Sequence, residues 1–174
     1  MKQYFLTLMF ILLLSVSFGQ YTNAAFEATK GKWTFPISHI ASVDTIQRDC
    51  SGMPARSFSM ILWTQTPEEV TAIQSGLVQS IHKIDSLNVI AVKAASYFLF
   101  YFGLATLNVK KGDTINEGDI LGRLGKENNE NNYQILLTLM NKTGHEIDLI
   151  PWFDWTTAHN NCLPQQQLTS NIQQ

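Results

Sequence analysis

Apolar residues in this chain fall in short runs, separated by Gly, Pro, Asn and Asp, and not at helical spacing. Trp33 to Ile37 begins the first run. Asp44 to Arg56 is polar, contains Gly52 and Pro54, and reads as a loop. Ser57 to Trp63 reads as a strand. Thr64 to Glu69 is a turn around Pro67. Thr66, Pro67 and Glu69 also fit a helix start, but the β-rich Val70 to Ile73 and the stop at Gly76 oppose it. Leu77 to Ile81, Leu87 to Val92, Ile120 to Leu124 and Tyr133 to Met140 read as further strands. The aromatic run Tyr97 to Phe102 reads as a strand buried on both faces. Asn141 to Gly144 is a turn, and Ile147 to Trp155 closes the domain, with Trp152, Phe153 and Trp155 packed at one end. Many short strands between Gly and Asp turns predict an all-β barrel or sandwich.

The N-terminus departs from this pattern. Lys2 precedes an apolar run from Tyr4 to Leu14, and the smaller residues Ser15 to Gly19 follow. That order predicts a secretory signal peptide over 1–19, cleaved before Gln20, with a cut before Ala25 as the second choice. A membrane span needs about 20 apolar residues and this run is shorter. The chain is therefore expected to be secreted or periplasmic, with no span once the signal is removed. Residues 20–32 are expected to be an extended lead-in, 33–158 one β domain, and 159–174 a polar, disordered tail. Net charge is −2 with no basic cluster, which argues against nucleic acid as a partner. The two cysteines are Cys50 and Cys162. Export makes a disulfide chemically allowed, but sequence does not reveal whether their Cα atoms lie close enough; two unpaired thiols are the alternative.

Val109 to Gly122 reads V-x-x-G-D-x-I-x-x-G-D-x-L-G, in which two Gly-Asp pairs make tight turns around a very short strand. The pattern resembles two groups of barrel-sandwich hybrid proteins: the biotinyl and lipoyl carriers, and the lysostaphin/LytM-type zinc endopeptidases that cut bacterial wall peptides. Three further segments resemble the second group. Val70 to Val78 is similar to its V-x-A-x-x-x-G-x-V strand, Tyr101-Phe102-Gly103-Leu104 with Val109 to its Y-x-H-L…V spacing, and Ile147 to Phe153 to its closing segment. The resemblance runs from about Trp33 to Trp155 and implies a duplicated hybrid-motif β fold. A carrier needs a lysine at a hairpin tip with Met, Ala or Asp neighbours, and neither Lys83 nor Lys93 has that setting.

The metal positions depart from the family. Its zinc is gripped by H-x-x-x-D and by the second His of H-x-H. Counted back from Gly76, the first pair falls on Ser57 and Ile61, and the H-x-H strand falls on Ile135-Leu136-Leu137. The histidine that the family uses at the transition state corresponds to Gly103. A catalytic zinc needs three N, O or S donors and an open position, and hydrocarbon side chains offer none. The resemblance therefore implies a non-catalytic member with no cofactor. Its groove would bind a peptidoglycan peptide or a wall-associated protein, including a wall hydrolase that it regulates. The alternative is a cell-wall metallopeptidase with a non-standard site built from His82 and Asp85 or His145 and Asp148. Against it, both pairs are expected in solvated turns.

Overall fold

The computed structural model describes residues 23–46, 59–126 and 132–156. Among these residues ten strands in chain order make one antiparallel network: β1 (Ser42–Ile46), β2 (Ser59–Thr64), β3 (Glu69–Thr71), β4 (Gly76–Ile84), β5 (Leu87–Ala94), β6 (Tyr97–Leu107), β7 (Thr114–Ile115), β8 (Ile120–Leu124), β9 (Tyr133–Asn141) and β10 (Glu146–Ile147). The main path runs β1-β2-β9-β6-β5-β4-β7. The all-β expectation holds.

The long strand β6 organises the sheet. Its first half, Tyr97 to Phe102, pairs with β9 on one side and β5 on the other. Its second half, from Leu104 to Leu107, pairs with β8. The run Tyr97 to Phe102 is not buried on both faces, as its aromatic content predicts. Leu99 and Tyr101 are buried, whereas Phe98, Phe100 and Phe102 are half-exposed on the other face. Large rings tolerate partial exposure on an antiparallel sheet, where composition alone does not separate one buried face from two.

The paired Gly-Asp turns form as the sequence suggests. Asp113 Oδ2 accepts from the Lys110 N–H at 3.0 Å, and Asp119 Oδ2 accepts from the Asn116 N–H at 2.7 Å. Gly112 and Gly118 take φ values of +94° and +86°, which cost glycine nothing. Between the turns, β7 docks on β4 through Gly76–Ile115 and Leu77–Thr114.

The core holds Met60, Leu62, Ile90, Val92, Leu99, Tyr101, Leu121, Ile135, Leu137 and Leu139. Tyr101 is fully buried, and its hydroxyl accepts the Ile73 N–H at 2.9 Å. Burial pushes the phenol well above the usual tyrosine range, so it stays protonated. At one end, Phe26, Trp33, Trp152 and Phe153 pack as an aromatic cap. Trp155 stacks edge-on against Phe35 beside it. The lead-in expected to be extended instead contains the short helix α1 (Asn23–Glu27), because Phe26 has a core site to fill. Cys50, Cys162 and Ser57 lie outside the described residues, as do 1–19 and 159–174.

Candidate functional site

Strand registers define the face that bears the site. Ile61 faces Leu136, Leu136 faces Phe102, Phe102 faces Val89, and Val89 faces His82. Directly paired residues share a face of the sheet, so these five make one row across β2, β9, β6, β5 and β4. The next row on that face is Ser59, Thr138, Phe100, Ala91 and Ser80. Ser59 and Thr138 satisfy each other through a 2.8 Å hydroxyl pair. The opposite face carries Met60, Leu137, Tyr101 and Ile90, all in the core.

This phase corrects one sequence expectation. Ile61 and Leu137 do not come together: Ile61 is half-buried on the outer face, while Ile135 and Leu137 point into the core with no exposed surface. On the face of Ile61, β9 places Leu136 opposite it with Gln134 and Thr138 on either side, and the Thr138 hydroxyl is already paired with Ser59. A metal gripped between β2 and β9 on that face would draw on positions 61, 134 and 136. Ile61 and Leu136 have no lone pair, and an uncharged amide is a poor third of a zinc donor set. The described residues do not fit the metal.

Gly103 sits at the edge of the same face with φ +111°. A Cβ built there would lie 2.5 Å from the Gln134 carbonyl oxygen, closer than real Cβ atoms approach. The backbone therefore leaves no room for an imidazole at this position.

A cleft of about 320 Å³ opens on this face. Among the described residues its walls are Ile84, Leu87, Val89, Phe102 and Leu136, with Asp85, Ser86, Lys126 and Gln134 as polar members. The lining is apolar enough to hold an apolar group, and its few polar atoms suit orientation. Gln134 Oε1 is buried without a hydrogen-bond partner. Asp85 holds the β4–β5 turn at φ +52°, a conformation that Asp tolerates better than most residues.

The two His/Asp pairs do not form a second site. His82 is exposed on strand β4 and not in a turn, while Asp85 is in the turn that follows. His145 lies past the other end of β9. From Phe102 to Phe98 the rows advance about 13 Å along β6, and His145 is beyond the row of Phe98 and Met140. His145 Nδ1 is 2.9 Å from Thr143 Oγ1, and Asp148 Oδ1 accepts the Ile150 N–H at 3.0 Å. Both have local work in turns. Among the described residues, no three His, Cys, Asp or Glu side chains gather closely enough to hold a metal ion.

Sequence reasoning overlooked Gln134 and Leu136, although a signal was present. Gln134 and Thr138 are polar at even positions of an otherwise apolar strand, which marks the even face as the wetter one.

An all-β sheet with paired Gly-Asp turns and a groove across β9, β6 and β5 defines a peptidase-like domain of the lysostaphin type. The profile of peptidase family M23 matches residues 60–149, more than half of the chain, and the chain belongs to that family. No curated protein matches it by sequence. Among solved structures, the antimicrobial peptidase lysostaphin from Staphylococcus simulans is similar, with TM-score 0.54, 16% identity, and 78% of this chain covering 58% of that one. Csd3 from Helicobacter pylori gives TM-score 0.56 and 16% identity, over 79% of this chain and 38% of Csd3. The SpoIIQ–SpoIIIAH pore-forming complex gives TM-score 0.56 and 15% identity, over 74% of this chain and 98% of that one. The chain thus spans under two thirds of lysostaphin and Csd3. Among the described residues, no helix is long and apolar enough to cross a membrane.

Proposed function

We propose that this protein is an exported, non-catalytic M23 domain whose groove binds and does not cut. Its occupant is a cell-wall peptide or a wall-associated protein. One observation carries the reading: the outer-face row at the β2–β9 ladder presents Ile61 and Leu136 where donor atoms would be needed. The former ligand strand position on β9 is then Leu136 in place of Leu137, with Gln134 two residues before it. The chemical conclusion is the same for either position, since both are leucine. Gly103 adds support, because its backbone conformation excludes the family histidine. The apolar cleft supports retention of binding. SpoIIQ, a fold neighbour found in a complex with another protein, supports a protein occupant as one of the two forms.

The test combines purified peptidoglycan with the exported protein. Co-sedimentation without loss of turbidity or release of peptides is the expected result for a wall ligand. Absence of sedimentation, with capture of a wall hydrolase in its place, would assign the protein occupant. Peptide release that is abolished by His82→Ala, Asp85→Ala, His145→Ala or Asp148→Ala would establish the non-standard hydrolase and refute the proposal.

A further inference from the structure

The cleft opens at an irregularity in β6. Val89 faces Phe102 and Asn88 faces Leu104, so the ladder to β5 steps past Gly103 and makes it the extra residue of a bulge. Asn88 Nδ2 donates to the Leu104 carbonyl at 2.9 Å and ties the bulge down. Gly103 adds no side chain there, and the cleft of about 320 Å³ lies beside it. Its hydrocarbon wall is Leu87, Val89, Phe102 and Leu136.

The polar groups of the cleft that lack a partner among the described residues are acceptors. Gln134 Oε1 is buried and unpaired. Leaving an acceptor so is costly, and it calls for a donor from outside the chain. Asp85 brings a carboxylate to the cleft from the exposed β4–β5 turn, and no described residue pairs with it. Lys126, the lining cation, is already engaged, with its ammonium 5.9 Å from the centre of the Tyr133 ring. The two acceptors want different donors. An ammonium buried against a neutral amide would lose its hydration for too little, so the buried Gln134 suits an uncharged N–H and the exposed Asp85 suits a charge.

We propose that the cleft reads the amino end of a short peptide: its ammonium at Asp85, its first side chain, an aliphatic one, against the hydrocarbon wall, and the amide N–H that follows on Gln134 Oε1. This names what the groove recognises, and it rests on the groove binding without cutting. The size supports a chain end over a folded partner. The cleft is at the small end of the range for ligand sites, about 300–1,000 Å³, whereas a folded partner needs about 800 Å² of surface on each side.

Leucyl-alaninamide, with L- or D-leucine, is the probe, and titration of the exported protein by calorimetry or amide NMR is the assay. The wild type should bind at least one of the two forms. Replacing the central amide N–H of that form by an ester oxygen should weaken binding about tenfold. Glycine in place of leucine should weaken it more than tenfold, and acetylation of the amine about threefold. Gln134→Leu, which removes the acceptor, should bind amide and ester alike. Asp85→Asn, which tolerates the turn at φ +52°, should bind free and acetylated forms alike. Equal binding of amide and ester by the wild type, or an amide preference that survives Gln134→Leu, overturns the inference. So does failure to bind either probe by protein that still sediments with peptidoglycan, an outcome that leaves the binding groove itself standing. Probe binding with this pattern but no sedimentation supports the peptide site and refutes the wall as its source.

Discussion

Replacing Gly103 with alanine probes the tightest point of the groove. At φ +111° a side chain is strained wherever it points, and the added Cβ would meet the Gln134 carbonyl at 2.5 Å. Backbone strain of this kind costs about 1–3 kcal/mol. Relieving the contact means displacing β9 or β6 by about half an ångström, which adds about 1 kcal/mol or more for an overpacked site. The sum is about 2–4 kcal/mol, or a Tm lowered by about 5–15 °C at this chain length. Gly112→Ala is the matched control. Gly112 has a similar φ of +94°, but nothing lies within 4 Å of its added Cβ. It should cost only the strain, about 1–2 kcal/mol. Urea denaturation with unchanged m-values gives both numbers. Equal losses for the two variants would mean that Gly103 has room after all, and the reason given for the missing imidazole would fail.

Three further outcomes follow from the same geometry. Leu137→Ala should cost about 2–5 kcal/mol as a core truncation, whereas Leu136→Ala, on the half-exposed face, should cost about 1 kcal/mol; similar losses would contradict the assigned strand phase. Tyr101→Phe leaves the buried Ile73 N–H without its acceptor and should cost about 1–3 kcal/mol in urea denaturation; a neutral result would remove that hydrogen bond from the core. Burial alone would raise the Glu68 carboxyl, but hydrogen bonds from the Ser38 N–H, Thr64 Oγ1 and the His39 N–H, with attraction to the His39 ring, hold it below its ordinary value. A carboxylate depressed in the folded state stabilises above its unfolded pKa and loses that contribution as pH falls through the folded value. Glu68→Gln should therefore lower stability at pH 7 and flatten its decline between about pH 5 and 3; an unchanged acid profile would refute this role.

The strands were legible because their apolar runs are bounded by Gly, Asp and Pro. The paired turns at Asp113 and Asp119 were legible because Gly-Asp fixes both φ and a local acceptor. The phase of β9 was not. In Ile135-Leu136-Leu137 every residue is apolar, so composition does not say which one faces the groove; the register against Ile61 and Phe102 does. Burial of Tyr97 to Phe102 was misjudged for a related reason. Three phenylalanines on an outer face look like core until their partners Val89, Ala91 and Lys93 place them. The helix α1 was missed because five residues carry too little periodicity, and its stability comes from Phe26 meeting Tyr97 and Trp152. Ile61 and Gly103 were legible by residue type alone: a side chain without a lone pair is no metal ligand, and a glycine is no imidazole, whatever the phase of β9.

The central claim is that the outer face between β2 and β9 offers no grip for a metal. Metal content of the exported protein, purified without chelator and then equilibrated with zinc and dialysed, tests it most directly. The account predicts zinc well below one ion per chain, unchanged in Leu136→Ala and Gln134→Ala. One tightly held zinc per chain, lost in His82→Ala or His145→Ala, would contradict it.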